Sequence, residues 1–522
     1  MAFRQIAPPA THGSDENSTR RRSHIAGTRH PSQEGAFAVM FVPLVIVIIG
    51  IWGLAVEMGQ IYNRKVDLYG ISKAAALAAA RELNGTPAGI VAAKNAASAA
   101  VANLRYNNYG GGTSFTWSDD ALSFSTTSSR TGTWIPATGA GGSSTQAEGL
   151  FFARVDTDGL DSAIGTIHTF FIKILASNLA VAQVSDSAIA GRTSLKALPL
   201  AICAMSPDAA TARPATSSSG GPTLSELVQY GFRRGISYDL MKLNPNGVTP
   251  ARFAINPVSE PGKTSQGFSI PALGPFLCSG SMWVKELTGG TIRVSELPPT
   301  APLASLSAAL NTRFDAYANT PCAASGAPPD INIKSYTYDV PDVVKWMTPN
   351  TGTAAVATKT DRGRSEPVTD LPTPPASPGD YGPLWAYAKA ARAPSPLNAP
   401  EPASGYATFT SADWPTLYPS GPTSSTYPTS PSAPYLASTA ASGHYQSPGP
   451  TNKPLAVPFR RVLNVPLLSC TPAAPSGANA EATVVAIGKF FMTVPAKDNS
   501  LIAEFAGLLS PQSLPGRVEL FP

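Results

Sequence analysis

The sequence predicts an α+β protein. A single N-terminal transmembrane helix continues into an Ala-rich helix, followed by a β-rich exported domain with a long Pro-rich insertion. Three observations predict this. Residues 35–56, GAFAVMFVPLVIVIIGIWGLAV, hold no charge over 22 positions. Residues 58–104 are dense in alanine and other strong helix formers. Charged residues make up 14 % of the chain, against about 25 % in typical soluble domains, and Gly, Pro, Ser and Thr take up the difference. That mix favours short strands, turns and long loops.

The first element follows from length. At about 1.5 Å of rise per residue, 22 helical residues reach roughly 33 Å, enough for a hydrocarbon core of about 30 Å. Large apolar side chains surround this helix on every face, which suits lipid better than a one-sided core. Pro43 lies within the span, where membrane helices tolerate it. A cleavable signal would have a shorter apolar run ending near a small-residue site. Here the nearest such site, ALAAA at 76–80, lies some 20 residues past the end.

Charge sets the side. Arg4, Arg20, Arg21, Arg22 and Arg29 precede the span against Asp15, Glu16 and Glu34. Arg64 and Lys65 pull the other way, but the arginine-rich flank places the N-terminus in the cytoplasm and the rest outside. The leader, 1–34, is polar and unpatterned and reads as disordered. The anchor is 35–57. Glu57 marks its exit, either as the water boundary or as a partner for a basic neighbour.

Residues 58–104 read as two helical stretches, with Gly85 as a stop and Pro87 near the second start. They form either a solvated stalk or a closely packed pair. Residues 105–365 read as a β-rich periplasmic domain. Its strand-like runs include GLFFARVD (149–156), a strand ending at Cys203, ARFAINPV and GSMWVKEL. IHTFFIKILASNLA (167–180), LASLSAALNTRFDAYA (303–318) and YDVPDVVKWM (338–347) read as helical or turn-and-helix pieces. From 366 to 455 lie 19 of the 51 prolines with eight charged residues. Such a stretch builds no core by itself, and is expected as an extended, polyproline-like insertion with an ordered island at 381–391. Residues 456–522 return as strands that complete the main domain.

The four cysteines, Cys203, Cys278, Cys322 and Cys470, all follow the span. An even number in an oxidising space reads as two disulfides, with four free buried thiols as the alternative. Three pairings are possible. Cys278–Cys322 with Cys203–Cys470 is preferred, because the second pair joins two similar apolar runs, LPLAIC and NVPLLSC. Each bridge could contribute ~4 kcal/mol through unfolded-state entropy.

The N-terminal 85 residues resemble the TadE/TadG-like family of Flp (Tad) pilus assembly proteins, its TadG-like members in particular. The elements that carry the resemblance are EGAFAVMFVPLVIVIIG, EMGQIYNRKVDL and KAAALAAARELNG, in that order. VVAIGKFFMTVPA followed by IAEFAGLL also resembles the closing strands of that family, more weakly. Two departures matter. Family members processed as prepilins carry a glutamate five residues after the cleavage glycine, and Met40 stands there after Gly35. An uncleaved anchor fits better. Many TadG-like proteins also carry a metal-binding D-x-S-x-S loop; DSAIG (161–165) and DSAIA (186–190) lack its third oxygen ligand.

No motif points to catalysis, a cofactor or a metal. Of five histidines, only His168 and His444 lie outside the leader, and no H-E-x-x-H occurs. No G-x-S-x-G elbow or phosphate-binding G-x-x-x-x-G-K-[ST] loop is present; YGGGTS (109–114) reads as a turn. His444 with Cys470 could be imagined as base and nucleophile, but a cysteine beside an apolar strand is more often a disulfide. The sequence pI of 8.9 reflects a small charge excess without a basic stripe, so no nucleic-acid partner is expected. The resemblance implies a non-enzymatic inner-membrane component of pilus assembly, whose partners are other assembly proteins and membrane lipid. A minor pilin-like subunit processed at Gly35 is the first alternative, and a membrane-tethered periplasmic enzyme the second.

Overall fold

A computed structural model gives the fold. It describes residues 34–83, 87–102, 116–140, 147, 150–175, 180–216, 223–258, 269–284, 287, 291–297, 304–336, 358–361, 364–367, 381, 383–419, 427–428, 430–439, 443–497, 499–509 and 516–521. The leader, apart from Glu34, and the piece at 338–347 lie outside them. The chain divides into two units, residues 1–61 with 168–181, and residues 62–167 with 182–522.

Helix α1, Glu34–Glu82, runs unbroken through Pro43 for 49 residues. Its Met40–Glu82 part is long and apolar enough to cross a membrane, and its most apolar window is only 11 % buried. The first unit pairs the N-terminal half of α1 with a short loop carrying α3, Phe171–Leu175. The sequence suggested a longer helix over 167–180. Instead a strand, β4 (Thr166–His168), leads in, and another, β5 (Val181–Gln183), leads out and pairs with it.

In the second unit the other half of α1 packs with α2, Pro87–Ala102. Leu68, Ile71, Ala75 and Ala79 on α1, and Ile90, Ala93 and Ala97 on α2, recur every three or four residues and are all buried. They meet a five-stranded antiparallel sheet ordered β19-β6-β3-β1-β2. Its strands are β1 (Leu122–Ser125), β2 (Ile135–Pro136), β3 (Phe152–Asp156), β6 (Ser187–Leu195) and β19 (Gly516–Phe521). The alanine-rich pair is therefore a packed layer rather than a solvated stalk.

A seven-stranded sheet follows the order β11-β18-β17-β13-β12-β7-β16. Its strands are β7 (Leu200–Cys203), β11 (Ser237–Asp239), β12 (Arg252–Ile255), β13 (Thr291–Glu296), β16 (Val462–Leu468), β17 (Ala480–Met492) and β18 (Ile502–Leu509). β16 also pairs with β17, so five of these strands close into a ring. Ring closure removes two edges. The β7–β16 contact is parallel, with Leu468 opposite Cys203. Alternate residues face different cores: Leu200 and Ile202 lie in one, Ala201 and Cys203 in the other. Strand β16, which ends two residues before Cys470, thus lies within the main sheet. GSMWVKEL contributes only a single bridge, Met282 to Leu195, among its described residues.

A three-stranded sheet, β10-β9-β8, comprises β8 (Thr211–Ala215), β9 (Leu224–Gln229) and β10 (Phe232–Arg233), and β14 (Thr358–Asp361) pairs with β15 (Arg364–Pro367) as a separate hairpin. Tyr230 and Gly231 turn between β9 and β10 with φ of 48° and 81°. A Cβ on Gly231 would lie 2.6 Å from that of Met205, so glycine is required there.

The proline-rich insertion departs from expectation. Its described residues hold mostly turns, two isolated bridges (Ala391 with Thr408, Arg392 with Glu226) and one four-residue helix, yet Trp385, Trp414, Tyr418, Tyr427 and Tyr435 join the largest core. The extended-linker expectation is corrected here. The stretch cannot make a core alone, but it borrows one. Tyr387 stacks on Phe491 of β17 with centroids 5.0 Å apart, and Tyr435 meets the same ring at 4.9 Å. Proline pre-sets the turns between these aromatic anchors.

Candidate functional site

Glu57 lies on α1 where the long apolar run ends, and it is 6 % exposed. Its carboxylate accepts the backbone N–H groups of Phe170, Phe171 (2.7 Å) and Ile172 (2.8 Å). These are the amides at the start of α3, which no intrahelical carbonyl can satisfy. Neither of the two roles suggested for Glu57, water boundary or partner of a basic residue, describes this contact. One turn earlier, a Cβ built on Gly53 would lie 2.4–2.5 Å from three carbons of the Phe171 ring, so glycine makes room for that ring against α1. Thr169 N–H donates to the Ala180 carbonyl at 3.0 Å and closes the neck of the loop. Gly35 lies in the first turn of α1, and Met40 is 76 % exposed.

The cysteines form two bridges, Cys203–Cys470 and Cys278–Cys322, with Cα separations of 5.5 and 5.7 Å. The first staples the ends of the parallel strands β7 and β16 across a sequence separation of 267. The second ties α4 (Gly274–Ser279) to the loop after α5 (Ala304–Asn311). Cys470 therefore carries no thiol, and the imagined His444–Cys470 pair has no nucleophile. Burial, with Lys334 nearby, pushes the His444 imidazole down. His168 sits exposed on β4.

Sequence reasoning missed a buried arginine hub. Arg461 is fully buried and donates to the carbonyls of Met492, Thr493, Asn332 and Lys334 at 2.6–3.0 Å. Arg313 donates to those of Arg460, Leu310 and Leu277, and Arg460 to those of Pro328, Ser279 and Cys278. Asp330 receives the Arg461 N–H, the Asn332 N–H and the Tyr435 hydroxyl. Burial raises the Asp330 carboxyl, partly opposed by Arg461. Lys196, Arg313 and Arg460 line one small cleft, where burial and the two arginines push the Lys196 amine down. The hub joins strands, helix ends and the insertion, and it uses guanidinium donors on backbone carbonyls. The signal was present: RR at 460–461 directly enters the apolar run VLNVPLL.

Glu504 was missed for a similar reason. It is a lone charge inside IAEFAGLL, and it is fully buried on β18. Its carboxylate accepts the N–H groups of Ala386 (2.5 Å), Tyr387 (3.0 Å) and Ala388 (2.6 Å) from the insertion. Burial pushes its carboxyl up to about 8, against the three amides, which pull it down. Two further ion pairs, the first of them buried, pin the three-stranded sheet and the insertion. Glu226 binds Arg233 at 2.9 Å, and Arg234 binds Glu401 at 2.6 Å.

Among the described residues, no three His, Cys, Asp or Glu side chains gather as a metal-binding group. The described geometry holds a clasped loop on an apolar helix, and a stapled, ring-closed β core. Comparison with known proteins returns no matching family model, no matching curated protein and no matching solved structure.

Proposed function

We propose that this chain is a non-enzymatic, membrane-anchored component of a Tad/Flp pilus assembly machine, acting by protein–protein contact. Residues 35–57 hold it in the inner membrane, the N-terminus faces the cytoplasm, and the bulk lies in the periplasm. One observation carries the reading: an apolar helix too exposed to be a core element runs without a break into a packed domain holding two disulfides. Disulfides of this kind belong to an oxidising compartment. The arginine-rich leader supports the orientation. The resemblance of the first 85 residues supplies the link to pili. Met40 in place of the prepilin glutamate supports an anchor that stays uncleaved. Deletion of the gene tests the proposal. Loss of surface pili by electron microscopy, restored by the intact chain, is the expected result; normal piliation overturns it.

A further inference from the structure

The loop clasped by Glu57 displays apolar side chains outward. Phe170 is 68 % exposed and Ile174 is 70 % exposed, on either side of the seated Phe171 ring. In a water-facing loop this is a poor arrangement, since two large apolar groups gain nothing from ordering. The clasp nevertheless fixes them. Three amides are bound by one carboxylate, and the Phe171 ring beds on Gly53. The position of the bed decides what covers them. Gly53 lies one turn toward the apolar run from Glu57, beside Trp52, which is itself 71 % exposed. The exposed face of the loop is thus continuous with the exposed apolar belt of α1. Lys173, also exposed, has a stem long enough to lie along apolar surface while its amine reaches water.

We infer that residues 170–174 form a second membrane contact, a wedge that enters the headgroup and acyl boundary beside the anchor helix. The occupant of this apolar face is lipid. Aromatic and aliphatic groups flanked by lysine at the end of a spanning helix are what that boundary accommodates. The backbone polar groups permit it: the amides at the start of α3 go to Glu57, and Thr169 N–H goes to Ala180. The wedge gives the chain two attachments to the bilayer surface instead of one. A single helix leaves rotation about its axis free, and a lateral wedge at its exit resists it.

The inference rests on the membrane-anchor reading, and the test separates the two. The full chain is reconstituted in vesicles of phosphatidylethanolamine and phosphatidylglycerol. All four native cysteines are bridged, so single added cysteines take nitroxide labels selectively. Labels are placed at Ile174→Cys, at Ile46→Cys within the apolar run, and at Ala209→Cys on an exposed loop. Collision with oxygen is compared with collision with a water-soluble nickel chelate. The expected result is an oxygen-to-nickel ratio at 174 several-fold above that at 209 and close to that at 46. A ratio at 174 matching 209, with 46 still lipid-like, overturns the wedge and leaves the anchor standing. Shielding of 174 from both reagents overturns it too, because a protein then covers the loop. A water-like ratio at 46 removes the anchor and the wedge together. In the Gly53→Leu chain the ring loses its bed, and the ratio at 174 falls toward that at 209; an unchanged ratio overturns the role assigned to Gly53.

Discussion

Two carboxylates in different regions do the same thing. Glu57 gathers the N–H groups of residues 170–172, and Glu504 gathers those of 386–388. Each organises a stretch that has no sheet to satisfy its backbone. The difference is in the setting. Glu57 sits on a helix, and the loop it holds turns Phe170 and Ile174 outward. Glu504 sits on a strand, and the stretch it holds turns Trp385 inward among Trp414, Tyr418 and Tyr427. The Trp385 ring crowds Gly235, whose φ of +79° only glycine adopts readily. The same clasp thus yields a presented loop at one place and a piece of core at the other. What decides is whether matching apolar surface waits on the protein.

The comparison is broken most severely at Glu504. Glu504→Ala leaves three amides unsatisfied in a buried site and opens a cavity. Each such amide costs about 1–3 kcal/mol, so a loss of roughly 3 kcal/mol or more is expected. Chemical denaturation of the chain in detergent measures it. A loss below about 1 kcal/mol would show that the insertion is held by its aromatic anchors alone.

The same residue sharpens the comparison through pH. Its carboxyl is raised from 4.5 to about 8 in the folded chain. Between those values the folded chain binds more protons than the unfolded one, so stability falls as pH rises. The contribution is complete below about 4.5 and is lost as pH passes through about 8. The slope approaches about 1.4 kcal/mol per pH unit at most. Asp330, also raised by burial, adds with the same sign. His444, pushed down by burial, acts with the opposite sign as pH rises through its unfolded value of 6.5. Above that value denaturant midpoints should decline through about pH 8, and the Glu504→Gln chain should decline less steeply. Parallel curves for the two chains would remove Glu504 as the source.

The contrast also shows what was legible in the chain. The apolar run at 35–56, the strands around Cys203 and Cys470, and the final two long strands follow from local pattern. The alanine-rich pair was legible as helix but not as a packed layer, because its partner sheet includes β19, more than 400 residues later in sequence. The insertion was misread because proline and serine dominate its composition, while its anchoring aromatics are sparse. A lone glutamate in IAEFAGLL and a pair of arginines before VLNVPLL were visible as anomalies. Their partners were not, since Glu504 reaches across 116–118 residues and Arg461 across 127–131 to Asp330, Asn332 and Lys334. Charges placed inside apolar strands mark where irregular segments will dock, but sequence does not say which segment docks.

The smallest effect is expected at Glu57. Glu57→Ala frees the amides of 170–172, but these lie at a loop that water or headgroups can reach once it opens. The global unfolding midpoint should move little, because the large β core is untouched. Local opening is another matter: the loop loses its clasp and samples extended conformations that a protease accepts. Limited chymotrypsin digestion at Phe170 and Phe171 reads this out, with cleavage expected to rise about tenfold, the factor that follows from a clasp worth about 1.4 kcal/mol. Gln at the same position keeps one carbonyl acceptor and should fall between the two. Equal cleavage in all three chains would mean that the Phe171 contact with Gly53, and not the carboxylate, holds the loop; a large fall in the global midpoint would mean that the two clasps differ less than their settings suggest.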